Sequence, residues 1–136
     1  MTLVRTGWGS DNPAYRQMFT SMFMPDGSDI DMRFFNEMQR ISANPEDAAA
    51  FIAAGLTIDV TALAPYVQVP TLVIHRRGDA IVPFELGREI ASLIPGARLL
   101  PLEGNNHVML PNEPEVEQLN RALEDFLAGD EPVAYR

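Results

Sequence analysis

Residues 70–79 read PTLVIHRRGD, and this stretch decides how the rest of the chain is interpreted. Thr71 to Ile74 is continuously apolar and rich in β-branched side chains, and it is too short for a helix. A run without polar alternation is typical of a strand that is buried on both faces of a parallel sheet. The strand leads into a turn that carries Asp79. We therefore predict a buried strand that presents a carboxylate at its carboxyl end.

A second strand is predicted from Ala97 to Leu102, and it leads into the loop EGNNH, which ends at His107. Pro101 interrupts this strand and cannot donate a ladder hydrogen bond, so the strand belongs at the edge of a sheet. Between the two strands, Pro83 begins an amphipathic helix. A strand, a helix and another strand form a βαβ unit, in which the two strands run parallel.

The two loops are expected to meet because parallel strands have their carboxyl ends on the same rim, where open α/β sheets place their chemistry. Asp79 follows the first strand and His107 follows the second. A carboxylate beside an imidazole holds one tautomer and stabilises the protonated ring, as a general base that takes a proton from a hydroxyl requires. The alternative is that Asp79 is only a turn residue and His107 only a loop group.

Other polar residues near these turns have simpler interpretations. His75 lies at the end of the buried strand, and we expect it to form a structural hydrogen bond rather than to act in catalysis. Glu103 could reach His107 but is expected to be a solvated loop carboxylate. Arg76 and Arg77 are expected to be exposed turn charges, with binding of an anionic substrate as the alternative.

Residues 1–58 are predicted to form a helical region. Residues 1–10 are interpreted as an apolar, Gly-rich lead-in without periodicity. Each helix that follows should begin at a capping residue, and in two cases at a cap followed by proline. The three predicted starts are Asn12-Pro13, Ser28 or Asp29, and Asn44-Pro45.

Methionine and phenylalanine are concentrated in the first two of these helices. Five of the seven methionines fall between Met18 and Met38, interleaved with phenylalanines. We expect these side chains to form a helix-packing core. The alternative is an adaptable apolar lid over a substrate pocket, because thioethers fill irregular space.

The remaining residues are predicted to form a βαβα unit over 59–129 and a loose tail over 130–136. The last helix should start at Asn112 or Pro114 and stop at Gly129.

Composition narrows the class of protein. The formal net charge is −9, so nonspecific attraction to nucleic acid phosphates is not expected of this segment. There is no cysteine, which excludes disulfides, thiolate nucleophiles and zinc-thiolate sites, and no cofactor or metal is expected. No apolar run approaches the ~20 residues that span a bilayer, and no signal peptide is recognisable. We expect a cytoplasmic protein that makes no membrane contact.

The runs VPTLVIHRRGDAIVP and IPGARLLPLEGNNHVML, followed by an amphipathic helix, resemble the C-terminal part of α/β-hydrolases. The resemblance covers Asp59 to about Ala128, and it is closest to hydrolase domains found alone or joined to helix-turn-helix regulators or nucleotide cyclases. It implies that residues 1–58 are a cap, that Asp79 is the triad acid and that His107 is the triad base. One departure is Arg76, where the family usually has a small residue.

The resemblance also implies a nucleophile in a Gly-x-Ser-x-Gly elbow upstream of the cap. None of the five serines has glycine two residues before or after it; they are Ser10, Ser21, Ser28, Ser42 and Ser92. The chain is therefore interpreted as roughly the second half of a hydrolase, whether an expressed fragment, a truncated product or an excised domain. The free edge of the first strand should be covered by a second copy, by rearranged cap helices or by the missing half.

Two classes of function follow from these observations. The leading one is the acid and base portion of a serine hydrolase for an ester or similar acyl substrate, inactive without its nucleophile. The alternative is a non-enzymatic ligand-sensing or dimerising domain of a transcriptional regulator or signalling protein. A metal site formed by His75, Asp79 and His107 is a weaker third possibility. The coding sequence upstream of Met1 discriminates between the first two, because an intact serine elbow there favours the enzyme.

Overall fold

The computed structural model describes residues 2–129, and the predicted tail over 130–136 lies outside them. The chain divides into two compact units, Met1–Val60 and Thr61–Arg136. The first unit holds helices α1 (Thr2–Gly7), α2 (Pro13–Phe23), α3 (Asp29–Ser42) and α4 (Pro45–Gly55). The second holds a 3₁₀ turn (Ala64–Tyr66), β1 (Leu72–Arg76), α5 (Phe84–Leu93), β2 (Arg98–Leu102) and α6 (Glu115–Ala128). The predicted α/β architecture, helices followed by a βαβα unit with two parallel strands, is confirmed.

The expectation of an irregular lead-in is wrong, because Thr2–Gly7 forms α1. Val4 of this helix is buried in a cluster with Phe19, Ala48 and Ala49. Six residues are too few to display helical periodicity in a sequence, and an isolated helix of that length would not be stable in water. Packing against the neighbouring helices therefore supplies the stability that the local sequence lacks.

The predicted helix starts are confirmed by their hydrogen bonds. The Asn12 side chain accepts from the Ala14 N–H at the start of α2. Ser28 and Asp31 form a reciprocal capping box at α3, and the Asn44 side chain accepts from the Asp47 N–H at α4. Each cap satisfies an N–H group that the helix itself leaves unpaired.

The methionines and phenylalanines of α2 and α3 divide between a core and a surface. Phe19, Met24 and Phe35 are buried, as a packing core requires. Phe34 is 71% exposed, and Met38 is also exposed. The core interpretation therefore holds for part of this set only, and the lid interpretation stays a prediction.

In the second unit, β1 and β2 pair in parallel with Leu72 opposite Arg98 and Arg76 opposite Leu102. Leu72 and Ile74 pack with Leu100, Leu102 and Ala122 of α6. Because side chains alternate along a strand, His75 points to the other face, where it meets Gly87 of α5. The two helices thus cover opposite faces of the sheet.

Both faces of β1 are covered, as expected, by α6 on one side and α5 on the other, yet Leu72 to Ile74 are not fully buried. Within residues 2–129 β1 pairs with β2 alone, and its other edge carries no strand. Half-burial follows, since a strand of a two-stranded sheet lacks a neighbour on one side. None of the described helices is long and apolar enough to cross a membrane.

Candidate functional site: an aspartate and a histidine on one rim

Asp79 is held in the turn after β1 by two backbone groups. Its Oδ1 accepts from the Ile81 N–H at 2.8 Å and from the Val82 N–H at 3.0 Å. The side chain is only 7% exposed. These bonds fix the rotation of the carboxylate and leave Oδ2 directed to a second partner.

His107 is that partner. Its Nδ1 lies 2.7 Å from Asp79 Oδ2, and its side chain is 35% exposed. The contact expected from the order of the elements is therefore present, across 28 residues of sequence. With an ionised carboxylate as acceptor, Nδ1 is the ring nitrogen that carries the hydrogen. Nε2 is then the nitrogen that can exchange a proton with a substrate or nucleophile.

The electrostatic state of Asp79 suits this arrangement. Burial pushes the pKa of Asp79 upward, but the Val82 N–H, the His107 imidazole and the Ile81 N–H together hold it below its ordinary value. Hydrogen bonds to the charged form outweigh the desolvation cost. Asp79 is therefore an ionised acceptor at neutral pH, as orientation of an imidazole requires.

The two loops are fastened to each other by backbone hydrogen bonds that continue the strand pairing. The Arg77 N–H donates to Leu102 O at 2.9 Å, and the Gly78 N–H donates to Gly104 O at 3.1 Å. A Cβ on Gly78 would lie 2.9 Å from the backbone oxygen of Gly104, so glycine is required at that close approach. The loops therefore have little freedom to move apart.

His75 has a position that suits the structural role predicted for it. Its Nε2 lies 2.8 Å from Val82 O and 3.8 Å from Asp79 Oδ2. The ring is nearly buried and packs edge-on against Phe84. His75 thus supports the turn that holds the carboxylate.

The expectation that Arg76 is an exposed turn charge is wrong. Arg76 is 6% exposed, and its guanidinium forms a buried ion pair with Glu113 through both carboxylate oxygens. Strand alternation explains the difference, because Arg76 is still part of β1 and points to the face that α6 covers. Sequence reasoning missed Glu113, whose only signal was a carboxylate placed just before the last helix.

Arg77 and Glu103 behave as solvated charges. Arg77 Nε donates to Glu103 Oε1 at 3.0 Å, and both side chains are more than half exposed. Glu103 therefore pairs with Arg77. An exposed pair of this kind contributes little to stability.

A cavity of about 250 Å³ opens beside Asp79 and His107. Its remaining lining is mainly apolar, with Ile74, His75, Arg76, Val82, Leu102 and Met109. None of these described lining residues carries a hydroxyl or a thiol. Within the described part of the chain, no group of three or more His, Asp or Glu side chains is arranged to hold a metal ion.

A family profile for TAP-like proteins, Abhydrolase_4, matches residues 56–132, which is more than half of the chain. The chain belongs to the α/β-hydrolases. The match includes both strands, both loops of the candidate site and α6.

Curated relatives of this α/β-hydrolase chain carry names from different chemistries. A protein of Pseudomonas savastanoi pv. phaseolicola named as a carbamate hydrolase, RutD, is 39% identical over 71 residues, which are 52% of this chain and 27% of the relative. Non-heme chloroperoxidase CPO-A1 of Kitasatospora aureofaciens is 40% identical over 61 residues, which are 44% of this chain and 22% of the relative. The match thus spans about a quarter of the length of these relatives.

Solved structures give the same fold. The esterase EaEST of Exiguobacterium antarcticum superposes on 93% of this α/β-hydrolase chain with a TM-score of 0.75 at 22% identity. A bromoperoxidase of Bacillus anthracis superposes on 91% with a TM-score of 0.72 at 28% identity. In each case the chain covers 46% of the solved structure, so it corresponds to slightly less than half of such a fold.

In the acid range, the stability of this α/β-hydrolase chain should depend on pH through two carboxylates. The pKa values of Asp79 and Glu113 both lie below their ordinary values. Between the folded and unfolded pKa values the unfolded state binds more protons, so stability rises with pH there. The stabilisation by the two ionised carboxylates should be complete above their pKa values in the unfolded chain, about 4. It should be lost as the pH falls through their lower pKa values in the folded chain.

Urea unfolding between pH 2.5 and pH 7 measures this effect. The free energy of unfolding should fall steeply below about pH 4, and a double variant, Asp79→Asn with Glu113→Gln, should show a shallower fall. An unchanged slope in the double variant would assign acid destabilisation to other groups.

Proposed function

We propose that this chain supplies the acid and the base of a serine hydrolase that acts on an ester or a similar acyl substrate. Asp79 orients the imidazole of His107 and stabilises its protonated form. His107 takes the proton from a serine hydroxyl and returns it to the leaving group. The observation that carries the proposal is the 2.7 Å hydrogen bond between His107 Nδ1 and Asp79 Oδ2, because it leaves Nε2 as the proton-transferring nitrogen.

The nucleophile and the oxyanion donors are assigned to a different polypeptide segment. The sequence contains no Gly-x-Ser-x-Gly elbow, and the described cavity beside the pair has no hydroxyl in its lining. The chain covers slightly less than half of each solved relative, which supports the assignment of the nucleophile to another segment. The small-molecule substrate would be bound between this rim and that second segment.

An esterase assay tests the proposal. The 136-residue chain alone should hydrolyse p-nitrophenyl acetate no faster than free imidazole and should not be labelled by a fluorophosphonate that reacts with activated serines. The chain joined to a nucleophile-bearing half, either its own upstream coding sequence or that of a related α/β-hydrolase, should do both. Labelling of the chain alone would overturn the assignment of the nucleophile to another segment.

We further propose that the free edge of β1 is the place where this second segment, or a second copy of the chain, pairs as a strand. An unpaired edge with half-buried apolar residues from Leu72 to Ile74 is a template for strand addition. A monomer by light scattering, with the amides of residues 71–75 fully protected from hydrogen exchange, would contradict both occupants.

The second candidate function is a ligand-sensing or dimerising domain without catalysis, and the missing elbow is the observation that favours it. A degraded elbow upstream of Met1, joined to a DNA-binding or cyclase domain, would decide for this candidate. An intact elbow would decide for the hydrolase.

A further inference from the structure

We infer that the buried ion pair of Arg76 and Glu113 is a positioning device that holds the histidine loop in the conformation in which His107 reaches Asp79. The inference rests on the proposed function for its catalytic meaning. The dependence of the His107–Asp79 hydrogen bond on Glu113 does not require that the protein be an enzyme.

Glu113 is the centre of this device. Its Oε1 accepts from Arg76 Nη1 at 3.0 Å and from Asn106 Nδ2 at 2.5 Å. Its Oε2 accepts from Arg76 Nη2 and from the Leu110 N–H at 2.9 Å. Burial raises the pKa of Glu113, but Arg76, the Leu110 N–H and Asn106 bring it below the ordinary value. The carboxylate is therefore ionised and has four donors.

Two of the donors to Glu113 lie on either side of His107 in the sequence. Asn106 is the residue directly before His107 and is 1% exposed, and Leu110 is three residues after it. Both are tied to one carboxylate, which is itself tied to the end of β1 through Arg76. Arg76 also donates to Met109 Sδ at 2.6 Å. The segment that carries His107 is thus anchored on each side of the imidazole.

The acid side of the pair has separate supports. Asp79 is oriented by the Ile81 and Val82 N–H groups and has His75 at 3.8 Å, and none of these groups belongs to the Glu113 cluster. Loss of Glu113 should therefore displace the imidazole and leave the aspartate turn in place. This separation distinguishes a positioning role from general stabilisation.

The Glu113→Gln variant tests the inference. An amide has one acceptor oxygen, so it cannot serve four donors, and its NH₂ group would face Arg76 or the Leu110 N–H. Nitrogen-15 spectra of the histidine rings in the 136-residue chain report which nitrogen carries the proton. We expect the wild-type chain to show His107 protonated at Nδ1, and the variant to show a mixture of tautomers and a raised pKa of Asp79.

The matched control is Glu117→Gln on α6, because Glu117 forms an exposed ion pair with Arg121. It should leave the His107 spectrum unchanged. The amide signals of Ile81 and Val82 should stay in place in both variants. If Glu113→Gln fails to fold, Asn106→Ala removes one anchor and keeps the ion pair, and it should produce the same mixture of tautomers.

A His107 spectrum that stays fixed at Nδ1–H in a folded Glu113→Gln or Asn106→Ala variant would overturn the inference. The outcome is independent of catalysis. If a complete hydrolase containing this chain lacks esterase activity while the tautomer still depends on Glu113, the proposed function fails and the positioning role stands.

Discussion

Replacing His107 with alanine in a complete hydrolase that contains this chain is expected to lower kcat/KM for a small activated ester by about 10⁴- to 10⁶-fold. In the proposed mechanism the imidazole moves the proton in both acyl transfer steps, and Asp79 Oδ2 lies 2.7 Å from its Nδ1. KM should change little, since the ring contributes mainly to the transition state. Steady-state kinetics with p-nitrophenyl acetate measure the loss.

Asp79→Asn should reduce kcat by about 10⁴-fold, because an amide in this position favours the wrong tautomer of the imidazole. Glu103→Gln is the matched control on the same loop, since Glu103 is exposed and pairs with Arg77. It should retain nearly full activity. Equal activity in His107→Ala and the unmodified hydrolase would remove His107 from the mechanism.

Replacing Arg76 with methionine should lower the free energy of unfolding by about 3–5 kcal/mol, the usual cost of leaving one charge of a buried ion pair without its partner. Glu113 would keep its largely buried carboxylate but lose both guanidinium hydrogen bonds. Urea unfolding at pH 7 measures this loss. The same change at the exposed pair, Arg121→Met, should cost at most about 1 kcal/mol.

A double-mutant cycle measures the interaction energy between Arg76 and Glu113 separately from the cost of burying their charges. Arg76→Met combined with Glu113→Leu removes both charges, and replacement of a whole buried pair by apolar groups is often close to neutral. Because Glu113→Leu also removes the acceptor of Asn106 and of the Leu110 N–H, the double variant should be destabilised, but by less than the sum of the two single losses. Simple addition of the two single losses would mean that Arg76 and Glu113 do not interact energetically in the folded chain.

The helix starts and the contact between Asp79 and His107 could be predicted from the sequence, because they depend on neighbouring residues and on the order of the elements. The capping residues Asn12, Ser28 and Asn44 mark helix starts because their side chains satisfy nearby N–H groups. The meeting of Asp79 and His107 follows from the order strand, helix, strand, which places the ends of parallel strands together. These inferences need only neighbouring residues and topology.

The features that were missed depend on contacts between distant segments. The helix Thr2–Gly7 is stabilised by packing against α4, which no window of six residues reveals. The burial of Arg76 depends on Glu113, which lies 37 residues away in the sequence, because arginine is rarely buried without a partner. The partial burial of β1 follows from its unpaired edge within residues 2–129, which the sequence of the strand alone does not display.

Hydrogen bonds within residues 75–113 orient both Asp79 and His107. The proposed acid and base are thus preorganised by one short contiguous piece of chain, before any nucleophile is present. If the proposed function is correct, a hydrolase divided ahead of this segment would be suited to protein-fragment complementation, since one fragment would already hold the acid and the base 2.7 Å apart. Its regained activity would then report the association of two fused partners.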